Sequence, residues 1–285
     1  MSIIKYGTGE VRVIFRVAIA IALWLAVVFV LRFIPIFVYT AIQAGDGVAR
    51  QDAVDSAKAI VFEHAVWSTV IGIINGLMSL PIVWFLMRVI EKRTFTWKEA
   101  GLDWRRNSLL CMVFGAGLAL FMYVLGIVVD RILGCSIPTI DKFLAGLTVW
   151  TVIRSVALWI PMGFGEEVIF RSYVQSRLVE RHGALPGILI GSIVFTLLHL
   201  LVRPLSPVTI LSAVMLWTAV GALYHWSRSL YLVGMFHGVA NILLNTLPSE
   251  GSDTGGLIVN ALALLVVVGV GLRRSRSRVV PSNPA

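Results

Sequence analysis

Long apolar runs recur along the whole chain, and they limit the folds that it can adopt. A helix needs about 20 apolar residues to cross the hydrocarbon core of a lipid bilayer. Eight segments approach or exceed that length, at roughly 13–40, 66–90, 107–133, 145–170, 185–202, 207–226, 230–247 and 256–272. The sequence therefore predicts an all-α polytopic membrane protein with about eight transmembrane helices.

The composition agrees with this prediction. Of the 285 residues, 58% are hydrophobic and only 14% are charged, whereas a soluble domain is closer to half apolar and a quarter charged. No repeat or soluble domain interrupts the apolar segments, so we expect residues 1–285 to form a single transmembrane domain. The two cysteines, Cys111 and Cys135, are too few for a disulfide framework and lack the spacing of a metal site.

The positive charges are distributed unevenly between the two ends of the predicted helices. If the helices alternate in direction, 17 of the 24 Lys and Arg residues fall on one side: Lys5, Arg12, Arg16, Arg88, Lys92, Arg93, Lys98, Arg105, Arg106, Arg171, Arg177, Arg181, Arg228, Arg273, Arg274, Arg276 and Arg278. The opposite side carries most of the acidic residues: Asp46, Asp52, Asp55, Glu63, Asp130, Asp141, Glu250 and Asp253. Because loops rich in Lys and Arg stay in the cytoplasm, both termini are predicted to be cytoplasmic. Topology thus explains the net charge of +9, and we expect no nucleic-acid partner.

Two adjacent carboxylates, Glu166 and Glu167, lie well inside the fourth apolar segment. A charged carboxylate in hydrocarbon is costly unless it is paired or hydrated. Glu167 and Arg171 are four residues apart and share a helix face, which predicts an ion pair between them. Glu166 points about 100° away and is available to a different partner. We also expect Pro161 and the glycines that follow it to bend this helix just before the two glutamates.

Other polar side chains occur at a matching depth in two further segments. The turn between the fourth and fifth segments is centred on Gly183; Glu166 lies 17 residues before it and His199 lies 16 residues after it. In a helical hairpin these two side chains would be at nearly the same height, roughly ten ångströms below the cytoplasmic surface. His237 and Asn241, one turn apart in the seventh segment, reach a similar depth. We therefore expect Glu166 to face His199, with His237 and Asn241 nearby.

Carboxylates, histidines and an amide in a low-dielectric site suit hydrolysis. Glu166 can take a proton from water while His199 orients that water. His237 and Asn241 can donate to a developing oxyanion. In an alternative arrangement, Glu166, His199 and His237 hold a zinc ion that activates the water, although the His-Glu-x-x-His motif of zinc proteases is absent. The residues alone assign no metal and require no cofactor, with zinc as the alternative.

Three sequence blocks occur in order on separate predicted helices: Glu166-Glu167-x-x-x-Arg171, Phe195-x-x-x-His199 and His237-x-x-x-Asn241. In these blocks the chain resembles the CPBP family of intramembrane proteases, which includes CAAX prenyl proteases and bacteriocin-processing, Abi-like proteins. The resemblance covers a predicted catalytic core of about 145–247. It implies an eight-span helical endopeptidase that cuts near the C-terminus of a lipidated or membrane-bound protein.

The resemblance also implies roles for individual residues. Glu166 would be the general base acting on water with His199. The oxyanion site would consist of His237 and Asn241, supported by Glu167 and Arg171. Members of the family have been regarded both as metalloproteases and as metal-free glutamate proteases, and we favour the metal-free roles.

The same resemblance implies the location and the partners of the protein. We expect a multi-pass membrane protein, in the plasma membrane if the cell is prokaryotic, whose active site opens toward the cytoplasm. Its partners would be the lipid bilayer and a membrane-bound protein or peptide substrate, prenylated if the substrate is of the CAAX type.

Two other functions stay open at this point. A proton-coupled transporter also uses buried Glu and His side chains, but it would carry polar residues through to the far side and often contains an inverted repeat. Neither feature is present in the sequence. A non-proteolytic scaffold or immunity protein of the same fold would have the same helices without the activity.

Overall fold

The computed structural model describes residues 11–137, 139–145, 147–201, 204–247 and 251–277, and the secondary-structure elements in these ranges are helices. The α-helices are α1 (Val13–Gly45), α2 (Arg50–Lys58), α3 (Ala65–Phe85), α4 (Ser108–Ile132), α5 (Ile140–Ala145), α6 (Val149–Glu167), α7 (Ser176–His182), α8 (Ala184–His199), α9 (Pro207–Ser227), α10 (Leu230–Thr246) and α11 (Asp253–Ser277). Three π-helical stretches extend α2, α3 and α6: Ala59–Glu63, Leu86–Ile90 and Val168–Gln175. Three residues used in the predicted topology lie outside the described ranges: Lys5, Glu250 and Arg278.

All eight predicted segments are helical, and the all-helical fold class is confirmed. Five helices are long and apolar enough to cross a membrane by length and composition: α1, α3 with its π-helical extension, α4, α9 and α11. The apolar helices α8 and α10 are shorter. The chain is therefore a multi-pass membrane protein, while eight crossings and cytoplasmic termini stay predictions.

Two short helices were not expected from the apolar segments. The first, α2, is polar and follows α1 after a turn at Gly47, whose positive φ of 88° suits glycine. The second, α5, contains only six residues. Both lie between apolar segments, where a pattern based on hydrophobic length gives no signal.

Large apolar side chains cover the outward faces of the long helices. On α1 the Phe37 side chain is 77% exposed, on α4 Leu110 is 67% exposed, and on α11 Leu265 is 66% exposed. A soluble monomer rarely exposes apolar patches of this extent. These faces are suited to contact with lipid chains.

The position of α6 between α3 and α10 depends on glycines at which backbones meet. A Cβ atom on Gly165 would lie 2.5 Å from the Cα atom of Gly76 in α3. A Cβ atom on Gly163 would lie 2.6 Å from the amide nitrogen of Gly238 in α10. Since real Cβ atoms do not approach other atoms so closely, only glycine permits these contacts. They bring both neighbouring helices against α6 just before the two glutamates.

A change of helix type that the sequence did not predict follows the two glutamates. The α-helix continues through Pro161 as far as Glu167, and the next eight residues, Val168–Gln175, are π-helical. Within this stretch the Ser176 hydroxyl donates to the carbonyl of Arg171 at 3.1 Å, a separation of five residues. The glycines thus serve close packing, the wider helical turn follows the glutamates, and a bend at Pro161 stays a prediction.

A buried ion network joins Arg16 at the start of α1, Glu91 just after the π-helical extension of α3, and Arg177 at the start of α7. Glu91 has a fully buried side chain, and its Oε1 atom lies 2.7 Å from Arg177 Nε and 3.6 Å from Arg16 Nη1. The Tyr173 hydroxyl donates to the same oxygen at 2.8 Å. About two turns after Arg16 on α1, the Trp24 ring packs edge-on against Phe170, with 5.4 Å between ring centroids. These contacts fix α1 beside the π-helical stretch.

The glycine contact between α3 and α6 can be tested by adding a methyl group. In Gly76→Ala the new Cβ atom would overlap the backbone carbonyl of Pro161, so we expect a loss of about 1–3 kcal/mol in the free energy of unfolding, as overpacking typically costs. The measurement is chemical or thermal unfolding of the purified protein in detergent.

The matched control is Gly117→Ala on the exposed face of α4, where an added Cβ atom meets nothing within 4 Å. We expect this variant to be unchanged or more stable by about 0.5–1 kcal/mol, because alanine is the better helix former. Equal stability of the two variants would contradict the close approach of α3 and α6.

Candidate active site

His237 lies between the two adjacent glutamates. Its Nδ1 atom is 2.9 Å from Glu167 Oε1, and its Nε2 atom is 3.6 Å from Glu166 Oε2. The His237 ring is 2% exposed. Because a carboxylate oxygen accepts hydrogen bonds, Nδ1 of the ring carries the proton that it shares with Glu167. Nε2 is then the ring nitrogen that faces Glu166 and is available for chemistry.

Glu167 also forms the ion pair that the sequence predicted. Its Oε2 atom lies 3.1 Å from Nε of Arg171, and both side chains are completely buried. The Arg171 guanidinium packs against two rings, with Cζ at 5.0 Å from the centroid of Phe195 and 5.4 Å from that of Trp217. The aromatic faces add a favourable cation–π interaction to the ion pair. Glu167 is thus held by a cation on one side and by His237 on the other.

The two histidines are connected through an aromatic cluster made of Phe170, Phe195 and Trp217. Phe195 contacts the ring of His199 at 4.7 Å and that of His237 at 5.9 Å between centroids. Trp217, from α9, contacts the His237 ring at 4.7 Å. The cluster excludes water from one side of the site, which strengthens the electrostatic interactions inside it.

His199 makes no direct contact with Glu166 at ion-pair distance. Its Nδ1 atom lies 2.9 Å from the backbone carbonyl of Phe195, and among the described residues it forms no ion pair with either glutamate. The histidine closest to Glu166 is His237. Equal height along two helices does not fix their rotation, so the expectation that Glu166 and His199 face each other stays a prediction.

Asn241 lies one helical turn beyond His237 on α10, as predicted. It is half-buried, and its backbone carbonyl accepts a hydrogen bond from the Asn245 side chain at 2.8 Å. Its own side-chain amide has no hydrogen-bond partner within the described ranges. This amide is therefore available as a donor beside Nε2 of His237.

The structure does not arrange Glu166, His199 and His237, the alternative zinc ligands, as a metal site. In the part of the chain that the structure describes, no group of three or more His, Cys, Asp or Glu side chains has the arrangement of a metal site. Nδ1 of each histidine ring is engaged, by Glu167 for His237 and by the Phe195 carbonyl for His199, and Nε2 of each ring is free within the described ranges. Glu166, His199 and His237 thus do not form a ready-made zinc site among the described residues.

Arg32 on α1 is a further charged residue at this site. It interacts electrostatically with Glu166. Trp24 packs on Phe170, so Arg32, eight residues farther along α1, is about 12 Å beyond that contact, whereas Glu166 is about 6 Å beyond it on α6. The long Arg32 side chain can span this difference in height. No sequence motif connects Arg32 of α1 with the glutamates. Trp217 was not predicted at the site either, since its aromatic character alone does not indicate a position beside His237.

The comparison with known families agrees with the three sequence blocks. A family model described as type II CAAX prenyl endopeptidase, Rce1-like, matches residues 148–243, a range that holds all the predicted site residues. No curated protein and no solved structure matches the chain significantly. The similarity to CAAX proteases predicted from the sequence is confirmed over this range.

The buried pair of Glu167 and Arg171 can be tested by removing only the cation. We expect Arg171→Met to lose about 3–5 kcal/mol in the free energy of unfolding, because it leaves a buried carboxylate without compensation. The double variant Glu167→Gln with Arg171→Met serves as the control, and it should recover part of that loss because no uncompensated charge is left. Both are measured by unfolding in detergent. A single variant as stable as the unmodified protein would contradict the pair.

Proposed function

We propose that the chain is a glutamate-dependent intramembrane endopeptidase, a proposal supported by the match of residues 148–243 to the Rce1-like model of type II CAAX prenyl endopeptidases. It hydrolyses a peptide bond in a membrane-associated protein or peptide. The observation that best supports this function is the position of His237 between Glu166 and Glu167, in a site that is almost completely buried. An adjacent carboxylate pair with one member fixed and the other open is suited to activating water.

In the proposed reaction Glu166 is the general base. Its side chain is 7% exposed, and it makes no hydrogen bond with any described residue, so that a carboxylate oxygen is open to water. Glu166 takes a proton as the water oxygen bonds to the scissile carbonyl carbon. The same proton then passes to the leaving nitrogen as the C–N bond breaks, and the products are a carboxylate and an amine.

His199 is proposed to orient the attacking water. Since the Phe195 carbonyl accepts the proton on Nδ1, Nε2 of the neutral ring is an acceptor. It can hold one hydrogen of the water while Glu166 holds the other. His199 thus acts on the same water without touching Glu166.

The oxyanion is proposed to bind between His237 and Asn241. The Asn241 amide is a donor without an internal partner, and Nε2 of His237 lies one turn away on the same face of α10. His237 donates from Nε2 when the ring carries both protons, and Glu166 and Glu167 offset that positive charge from either side. Glu167 and Arg171 position the ring without touching the substrate.

We propose a metal-free mechanism. This proposal is supported by the placement of Glu166, His199 and His237, which with the other described side chains form no group of three or more potential ligands arranged as a metal site. A glutamate base and two hydrogen-bond donors supply the functions that a Lewis acid would otherwise provide.

The proposed substrate reaches the site from the cytoplasmic leaflet. The excess of Lys and Arg at one end of the helices supports this orientation, and the ion network around Glu91 lies at the same end, one or two turns from the glutamates. A protein with a lipid attached near its C-terminus would be held in the membrane at that level. Prenylation of the substrate is part of this proposal only because the matched family model is described as a CAAX prenyl endopeptidase.

The role of Glu166 is tested with a prenylated peptide tethered to liposomes that contain the purified protein. We expect Glu166→Gln to reduce kcat by roughly 10²–10⁴-fold, which is the usual contribution of a general base, and His199→Ala to reduce it as well. The matched control is Glu99→Gln, which changes an exposed cytoplasmic-side glutamate and should cleave at the normal rate. Undiminished cleavage by both site variants would end the proposal, and full cellular activity of Glu166→Gln would instead indicate a scaffold.

The metal-free mechanism is tested by removing divalent metal. We expect activity to persist after dialysis against a chelator, and the purified protein to contain far less than one zinc ion per chain by elemental mass spectrometry. Loss of activity with the chelator, restored by zinc at one ion per chain, would contradict the metal-free mechanism while leaving the protease function intact.

A further inference from the structure

A polar cavity of about 400 Å³ lies where the turn between α9 and α10 meets the start of α4. Arg105, Arg106 and Asn107 line it from the α4 side, and Arg228 lines it from the turn. None of the residues assigned to hydrolysis contributes to it. This cavity is therefore a separate feature of the protein.

The cavity carries a net positive charge. Its one acidic lining residue, Asp103, is 3.1 Å from Nε of Arg105, so these two charges compensate each other. Arg106 and Arg228 have no carboxylate within ion-pair distance in the described ranges. Arg106 and Arg228 therefore line one partly open cavity, and an anion would be attracted to it.

Arg228 has an unusual backbone conformation for a long side chain. It ends α9 with a φ of 50° and a ψ of 33°, in the left-handed region. Glycine or asparagine commonly occupies this position at the end of a helix. The turn here carries an arginine instead, with its guanidinium 5.9 Å from the centroid of the Tyr224 ring. An arginine thus occupies a backbone conformation that is unfavourable for it, and it contributes a positive charge to the lining of the cavity.

The surroundings of the cavity place it at the surface of the membrane. Trp104 is 65% exposed beside it and packs edge-on against Tyr231 at 5.2 Å, an arrangement typical of aromatic residues at a lipid interface. The apolar helix α4 begins at Ser108, and its first outward side chains, Leu109 and Leu110, are 62% and 67% exposed. Charged lipid head groups and apolar lipid chains would meet the protein at this level.

We propose that this cavity binds the phosphate-bearing head group of an anionic phospholipid from the adjacent leaflet. Arg106 and Arg228 contact the phosphate, and the acyl chains lie along the exposed apolar side chains of α4. The lipid is favoured over a soluble phosphate compound because the basic cavity and an apolar lipid-facing stripe adjoin each other. Basic pockets between membrane helices are suited to anionic head groups.

A bound lipid at this position would stabilise the start of α10. The backbone amide of Leu230 donates to the carbonyl of Gly101 at 3.0 Å, and the Tyr231 hydroxyl donates to the carbonyl of Leu102 at 2.9 Å. The segment that precedes α4 is thereby hydrogen-bonded to the helix that carries His237. The lipid would hold both segments together without entering the site of hydrolysis.

The experiment uses the purified full chain in nanodiscs with brominated phosphatidylglycerol, brominated phosphatidylcholine or neither. Bromine quenches nearby tryptophans, and the signal of Trp104 is obtained as the difference from Trp104→Phe. The test variant combines Arg106→Gln with Arg228→Asn, since asparagine tolerates the left-handed backbone. The control combines Arg88→Gln with Lys98→Gln, which removes two exposed charges that do not line the cavity. Thermal unfolding checks that both variants are folded.

We expect phosphatidylglycerol to quench Trp104 at a lower lipid fraction than phosphatidylcholine does. Each basic side chain near a membrane surface contributes roughly a fivefold preference for anionic lipid, so the test variant should lose most of that preference and the control should keep it. Three results would overturn the proposal: no preference in the unmodified protein, an equal loss in both variants, or full displacement by millimolar inorganic phosphate. The last result would show a site for small anions in place of a lipid.

Discussion

The carboxylate of Glu167 is the group on which the rest of the site depends. It is completely buried within a membrane protein, and it is compensated by Arg171 through one oxygen and by the Nδ1 proton of His237 through the other. A buried ion pair adds little stability by itself, but removing one member is costly. The arrangement therefore joins α6 to α10 and fixes the orientation of the His237 ring. Every role proposed for His237 follows from that single carboxylate.

Backbone contacts at glycine make this arrangement possible. His237 reaches Glu167 because α10 approaches α6 at Gly163 and Gly238 with no side chain between them. On the other side, Gly165 meets Gly76 in the same way, so α6 is enclosed by two neighbours at the level of the glutamates. In a membrane, where lipid is as apolar as leucine, such close packing is a main source of helix association. The glycines in this helix thus determine which polar groups can meet.

Features that depend on spacing along one helix could be predicted from the sequence, and features that depend on rotation between helices could not. The ion pair of Glu167 with Arg171 follows from a separation of four residues, and the eight helices follow from hydrophobic length. The proximity of His237 to Glu166 was not predicted, because helical rise gives the depth of a side chain but not the direction in which it points. The π-helical stretch after Glu167 has no sequence signal of its own and changes that direction. Arg32 and Trp217 come from helices without a motif, so only the packed structure could bring them to the site.

The two glutamates differ in packing, although they are neighbours in the sequence, and the different functions proposed for them follow from that difference. Glu167 has both oxygens engaged and no exposure, so it cannot approach water or substrate. Glu166 has no hydrogen bond among the described residues and keeps a small exposed fraction, with His237 at 3.6 Å and Arg32 as a distant positive charge. A base must be free to gain a proton, whereas a positioning group must not move. The two consecutive side chains point about 100° apart on the helix. Glu167 is therefore held between Arg171 and the ring of His237, and Glu166 is the carboxylate proposed to face the space that water enters.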